Sequence, residues 1–153
     1  MSSRLFIQVR EKLGLCYYIR SSTTSYSDTG TLAIQTGVST KRVQEALQAM
    51  FKEVKKIKRE HVSREELDRA KEYMKGRLVL QMEASERLAQ WFAHESLFMK
   101  SVKRPEDRLK ELESVTTHDI HEVANDILDF KKISSAGIGP FSKQQLSSLL
   151  STA

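Results

Sequence analysis

Apolar residues recur at helical spacing from the start of the chain. Leu5, Phe6, Val9 and Leu13 form one stripe, Ser2 or Ser3 stands where a cap belongs, and Gly14 is placed to end the helix. The period then changes. Leu15 to Thr24 is rich in aromatic and β-branched residues, Ser27-Asp28-Thr29-Gly30 supplies turn chemistry, and Leu32, Ile34 and Val38 alternate with polar neighbours, which predicts an antiparallel hairpin. Ser39 or Thr40 is placed to cap a long helix in which Val43, Ala46, Leu47, Met50, Phe51, Val54 and Ile57 keep one face. Ser63 with Glu66 makes a capping box for a second long helix whose stripe reads Leu67, Ala70, Met74 and Leu78.

Helical spacing returns from Glu83 to Lys100, with Leu88, Phe92, Ala93 and Leu97 beside Trp91 and Phe98 as core candidates. Shorter helices are expected after Pro105 and Thr117. Lys132 to Gly139, bounded by Pro140, suits a final strand, and Ser142 is placed to cap a closing helix. The order helix, strand, strand, several helices, strand predicts an α+β protein, a two-layer sandwich of one antiparallel sheet with helices packed on one face. No linker, repeat or low-complexity tract divides the chain, so residues 1–153 read as a single domain.

Bulk properties narrow the function classes. A length of 153 residues is enough for one core without disulfides, and 39% hydrophobic with 29% charged residues excludes disordered and fibrous classes. The longest purely aliphatic run, Leu78-Val79-Leu80, falls far short of the roughly 20 residues that span a bilayer, so no membrane partner is expected. Cys16 is the single cysteine, which excludes an internal disulfide or a multi-cysteine zinc site and favours a reducing, cytoplasmic setting, although no targeting segment is legible. The net charge of +5 is modest beside 25 basic and 20 acidic residues, and it does not indicate nucleic acid.

Candidate chemistry is sparse. A zinc peptidase needs two histidines one helical turn apart with a carboxylate to activate water, as H-E-x-x-H or H-x-x-E-H, and neither string occurs. In the nearest imitation, His121-Glu122-Val123-Ala124-Asn125, an asparagine replaces the second histidine, and His118 and His121 read as solvated or capping residues. No metal ligand is assigned. Gly137-Ile138-Gly139 runs into Pro140 and matches no phosphate-binding loop. Cys16, between Leu15 and Tyr17, reads as packed in a sheet rather than as a nucleophile. Lys52, Lys55, Lys56, Lys58 and Arg59 complement a helix C-terminus, with a surface for polyanions or an acidic partner as the alternative. Arg10 flanks the first apolar stripe and can be partly buried with its guanidinium directed at a cleft, while Tyr17 follows Gly14 where the chain turns into a strand. A guanidinium fork and a phenol hydroxyl suit a substrate carbonyl or its oxyanion. An Arg10 ion pair and a Tyr17 packed in the sheet core explain the same spacing.

The string Ser3-Arg4-Leu5-Phe6, followed by Arg10-Glu11-Lys12-Leu13-Gly14-Leu15-Cys16-Tyr17, resembles the start of the C-terminal homologous domain of pitrilysin-type metallopeptidases, relatives of mitochondrial processing peptidase and insulin-degrading enzyme. The turn at Tyr26-Ser27-Asp28-Thr29-Gly30, Ser63-Arg64-Glu65-Glu66-Leu67 between the long helices, and Gly139-Pro140 extend the resemblance over nearly the whole chain. In that family two similar halves close around a peptide, and the first half carries H-x-x-E-H and zinc. The resemblance therefore implies a zinc-free half that supplies Arg10 and Tyr17 to bind the substrate backbone and steady the tetrahedral intermediate. Its implied partners are a zinc-bearing half, fused or separate, and a peptide substrate. Alone, this half is expected to be inactive. The nearness of the motif to residue 1 reads as an excised domain. The alternative function is a partner or scaffolding subunit of the same family that has lost catalysis.

Overall fold

The structure, a computed structural model, describes residues 3–151. The described residues fall into two compact units, one built from the chain up to residue 59 and from residue 127 onward and the other from residues 60–126.

The first unit opens with a π-helical segment, Phe6–Lys12, followed by strands β1 (Cys16–Ser25) and β2 (Gly30–Val38). The strands form a two-stranded antiparallel sheet from Ser25 opposite Gly30 to Cys16 opposite Val38, and the Tyr26 N–H donates to the Thr29 carbonyl (2.8 Å) across the turn. A 3-10 turn, Thr40–Arg42, leads into α1 (Val43–Arg59), and α6 (Lys143–Ser151) packs on α1. Ser39 precedes the 3-10 turn and makes no side-chain cap, which corrects its expected role at the start of the long helix.

The core of this unit is Val9, Leu15, Ile19, Ala46 and Met50, with Leu5, Phe6, Cys16, Ile34 and Val38 packed against it. The fold is thus α+β, with α1 and the π-helix on one face of the sheet. Leu13, expected in the first stripe, is half exposed at the helix cap. Every stripe position of α1 from Val43 to Ile57 is buried or half-buried, as its spacing requires. Ser2, the alternative cap, lies outside the described residues. Ser3 fills the role, its Oγ accepting the Phe6 N–H (3.3 Å).

The expected final strand is absent. Residues 130–132 form a 3-10 turn, 133–138 are irregular, and Ile138 is fully exposed. A strand needs a ladder partner, and among the described residues β1 and β2 are the only strands. The closing helix begins as expected. The Gln145 N–H donates to Ser142 Oγ (3.2 Å) and the Ser142 N–H to Gln145 Oε1 (2.8 Å), a reciprocal capping box.

The second unit is helical: α2 (Arg64–Met82), α3 (Ser85–Phe98), α4 (Pro105–Ser114) and α5 (Thr117–Ile127, the last residue falling in the first unit). Ser63 caps α2, its Oγ accepting the Glu66 N–H (3.2 Å). The covered face of α2 differs from the expected stripe: Leu67 is buried, Lys71, Lys75 and Leu78 are half-buried, and Ala70 and Met74 are exposed. The lysines are covered because α4 ends beside them. Lys71 Nζ donates to the Glu113 carbonyl (2.7 Å) and Lys75 pairs with the Glu113 carboxylate (2.9 Å), so aliphatic stems pack while the ammonium groups satisfy a helix C-terminus.

On α3, Leu88, Trp91 and Phe92 are half-buried, Ala93, Leu97 and Phe98 are exposed, and the most buried residue is Glu95. Its carboxylate accepts the Lys103 N–H (3.0 Å) and faces Arg108 (3.6 Å), while Trp91 Nε1 donates to the Lys103 carbonyl (2.8 Å). Both backbone groups of one loop residue are therefore held by α3.

Candidate functional site

Arg10 and Tyr17 lie on either side of one turn whose anchors are buried. In the π-helix the Leu13 N–H donates to the Gln8 carbonyl (3.2 Å), and the segment closes through Gly14 N–H to Arg10 (3.1 Å) and Leu15 N–H to Val9 (3.0 Å). Each closing bond spans one residue more than in the usual Schellman ending, as a π-turn requires. Gly14 sits at φ +59°, where a side chain is disfavoured. Val9 is completely buried and Leu15 is 2% exposed, so the residue before Arg10 and the second residue before Tyr17 are both fixed in the core.

The strand start is irregular at the position of interest. Cys16 pairs with Val38 and Tyr18 with Gly37, which leaves Tyr17 as an extra residue in a β-bulge. The bulge lets Cys16 and Ile19 both reach the core although three positions separate them, and it leaves Tyr17 74% exposed. Tyr18 lies across Gly37, where a Cβ would come within 2.5 Å of its ring.

Arg10 is exposed, with its guanidinium carbon 4.9 Å from the centroid of the Phe6 ring, a cation–π contact. The expectation of a partly buried Arg10 directed at a cleft is corrected by this placement: Phe6 supports the guanidinium from one turn below while its donors face solvent. Among the described residues Arg10 makes no ion pair, and Tyr17 is not a sheet-core residue. What remains is a planar donor fork and a phenol hydroxyl on a rigid turn, able to donate to a carbonyl or oxyanion.

A third residue supports that turn and was not legible in the sequence. Arg42 Nη1 donates to the Gly14 carbonyl (3.3 Å), and its Nε and Nη2 bind both oxygens of Glu45 (2.9 and 3.0 Å). The hydrogen bond between them raises the Arg42 pKa and lowers that of Glu45 from their ordinary values. Twenty-eight residues separate Arg42 from Gly14, and nothing local to Thr40-Lys41-Arg42 marks it as a partner of the turn.

The histidines do not form a metal centre. The His61 ring stacks on His121 with centroids 4.4 Å apart and lies 6.2 Å from His118, so the rings lie face to face instead of converging. Asn125 Nδ2 donates to the His121 carbonyl (2.9 Å), a local helical contact at the position where a zinc motif has its second histidine. Among the described residues no group of three His, Cys, Asp or Glu is arranged to hold a metal ion, and the described side chains do not fit zinc. Cys16 is half-buried against the core, as a packed residue would be. The hollows on the helical unit are shallow, one of them lined by Glu72, Tyr73, Gly76, Arg77, Leu80 and Gln81 along α2, and neither Arg10 nor Tyr17 lines one.

Comparisons with known proteins place the chain among similar sequences and folds. Residues 1–74, which contain Arg10, Tyr17 and Arg42, match the family model described as Peptidase M16 inactive domain. An uncharacterized zinc protease of Streptomyces coelicolor is 32% identical over 149 residues, which is 97% of this chain and 32% of that protein. One from Bacillus subtilis is 31% identical over 127 residues, 83% of this chain and 31% of its own length, and one from Rickettsia felis is 34% identical over 145 residues, 92% and 34% respectively. The chain thus spans about a third of the length of these relatives. A chain in the solved structure of complex III2 from Candida albicans with Inz-5 bound superposes with a TM-score of 0.72 at 18% identity, covering 82% of this chain and 30% of that one, a likeness of fold.

Proposed function

The chain carries the C-terminal, inactive-type domain of the M16 peptidase family, and on that premise we propose that it is the substrate-binding half of a zinc metalloendopeptidase. Residues 1–153 act in this reading as one domain beside a zinc-bearing half, in the same polypeptide or a separate subunit. Zinc held by that partner half supplies a Lewis acid and an activated water. This half supplies no ligand to it.

The observation that carries the reading is the turn at Gly14. It presents Arg10 and Tyr17 to solvent from a backbone fixed by Val9, Leu15 and Arg42, inside the segment that matches the family. Arg10 binds a backbone carbonyl of the peptide and orients it. The Tyr17 hydroxyl donates to the carbonyl oxygen as it gains negative charge, a contact that strengthens toward the transition state and so raises turnover. The single cysteine supports a reducing, cytoplasmic setting for this work.

The test uses the chain reunited with its zinc-bearing half. Tyr17→Phe and Arg10→Ala are each expected to lower peptide turnover by about 10²-fold, the usual cost of one oxyanion donor, with zinc content unchanged. Undiminished cleavage in both variants rejects the proposal. The second reading, a non-catalytic partner or scaffolding subunit, is favoured by one observation: Arg10 rests on Phe6 and lines neither of the two hollows described above. It expects both variants to retain assembly and full activity of the partner.

A further inference from the structure

The α1 helix carries cations over a wide arc. At 100° per residue Lys56, Lys52, Arg59, Lys55 and Lys58 follow one another over about 160° of its surface, with Lys52, Lys56 and Arg59 on the exposed stripe. The fold brings a second basic stretch to the same place. Lys58 Nζ donates to the Leu128 carbonyl (2.6 Å), Phe130 packs on Phe51 with ring centroids 5.7 Å apart, and Lys55 Nζ lies 5.6 Å from the Phe130 ring centroid. These contacts seat the 3-10 turn Phe130–Lys132 along α1 and set the exposed Lys131 and Lys132 beside the basic arc, more than 70 residues away in sequence. The acids on α1 and next to this surface in sequence are Glu45, which is paired with Arg42, Glu53, the exposed Glu60 after Arg59, and Asp129, which accepts the Lys131 N–H (3.0 Å) and lies 3.7 Å from Lys132 Nζ.

From this juxtaposition we infer that α1 and the 128–132 turn form a docking surface for an acidic, extended polypeptide segment. The chemistry selects that partner. Lysine ammonium groups are mobile point charges that follow a diffuse row of carboxylates, whereas planar, bidentate recognition would call for arginine, of which the surface has one. The surface is a convex helix side, and Phe130 is engaged with Phe51 and Lys55, so no aromatic platform is offered to nucleic-acid bases. Lys52 to Arg59 extends about 10 Å along the helix, the reach of three or four extended residues, which matches a short acidic run. The inference stands apart from the peptidase reading, since none of these residues belongs to the turn at Gly14.

The experiment titrates the chain with a short poly-L-glutamate peptide, followed by calorimetry or fluorescence anisotropy, at low and near-physiological ionic strength. The triple variant Lys52→Glu, Lys56→Glu, Arg59→Glu is compared with a control reversing three exposed cations elsewhere, Arg69→Glu, Lys100→Glu and Lys110→Glu, so both lower the +5 net charge equally. Binding that weakens with salt, falls about tenfold or more in the α1 variant and holds in the control is expected. Lys131→Ser with Lys132→Ser is expected to give a smaller loss in the same direction. Should the reversals unfold the chain, Lys52→Gln, Lys56→Gln, Arg59→Gln keeps the test decisive. No binding at low salt, equal loss in the α1 variant and the control, or binding of a single-stranded oligonucleotide or phosphatidylserine vesicles without binding of poly-L-glutamate overturns the inference.

Discussion

Gly14 stands between the two residues on which the functional reading rests, and its φ of +59° is the one positive value among the described residues. A Cβ there meets no atom, so the cost of Gly14→Ala is backbone strain alone, about 1–2 kcal/mol. In the reunited enzyme that strain falls on the link from Arg10 to Tyr17, so turnover is expected to drop more than the small loss in thermal midpoint explains. Arg42→Ala removes the donor from the Gly14 carbonyl and is expected to lower turnover while the Michaelis constant of short peptides stays near its starting value; unchanged turnover removes Arg42 from its positioning role. At this scale the sequence was partly legible. Arg10 and Tyr17 were singled out by the resemblance that the Arg10 to Tyr17 string carries, since their spacing alone left an ion pair and sheet-core packing open, while Gly14 was legible as a helix stop. The bulge at Tyr17 and the reach of Arg42 were not legible, since both depend on how β1 pairs with β2 and where α1 begins, and neither relation is local.

Helical faces were legible where burial is apolar and obscured where polar groups do the packing. The α1 stripe meets the core as its spacing requires, because Ala46 and Met50 face Val9, Leu15 and Ile19. On α2 and α3 the covered positions include Lys71, Lys75 and Glu95, which a search for apolar periodicity passes over. Glu95→Ala removes the acceptor for the Lys103 N–H and the partner of Arg108, and is expected to destabilise the helical unit by about 2 kcal/mol in chemical denaturation, with Glu95→Gln costing less because an amide oxygen still accepts. Helix ends also set the response to acid. Asp119 accepts the backbone N–H and the hydroxyl of Thr116, and the backbone bond above all holds its pKa below the usual carboxylate value. Glu111 and Glu113 are lowered by Lys103 and Lys75. A depressed folded-state pKa adds stability that is present above the unfolded value near 4 and is lost as pH falls through the folded one. Thermal midpoints are therefore expected to fall below about pH 4, and Asp119→Asn to start lower and fall less steeply. A variant with the same acid slope as the parent removes Asp119 from this account.

Taken as a whole, the chain bears the marks of a piece of a larger assembly on the proposed reading. Its sheet has two strands among the described residues, a ribbon of marginal stability by itself, with β1 exposed from Arg20 to Ser25 and β2 from Gly30 to Ala33. The α+β class followed from the order of elements, whereas the expected last strand failed because a sequence pattern cannot supply the ladder partner that residues 132–139 lack. That neither H-E-x-x-H nor H-x-x-E-H occurs is read directly from the residues, whereas the stacking of His61 on His121 depends on a pairing across some 60 positions that no local pattern gives. The isolated 153-residue chain is accordingly expected to bind no stoichiometric zinc after dialysis and to leave a quenched peptide library intact. Cleavage is expected on adding a zinc-bearing half, and to be abolished by chelation of the metal in that half. Hydrogen exchange separates assembly from chemistry in the same experiment: amides on the exposed parts of β1 and β2 are expected to exchange fast in the isolated chain, while those of α1 are protected. Tight one-to-one zinc binding with peptide cleavage by this chain alone would reverse the assignment, because the catalytic machinery would then lie within residues read here as the half that holds the substrate.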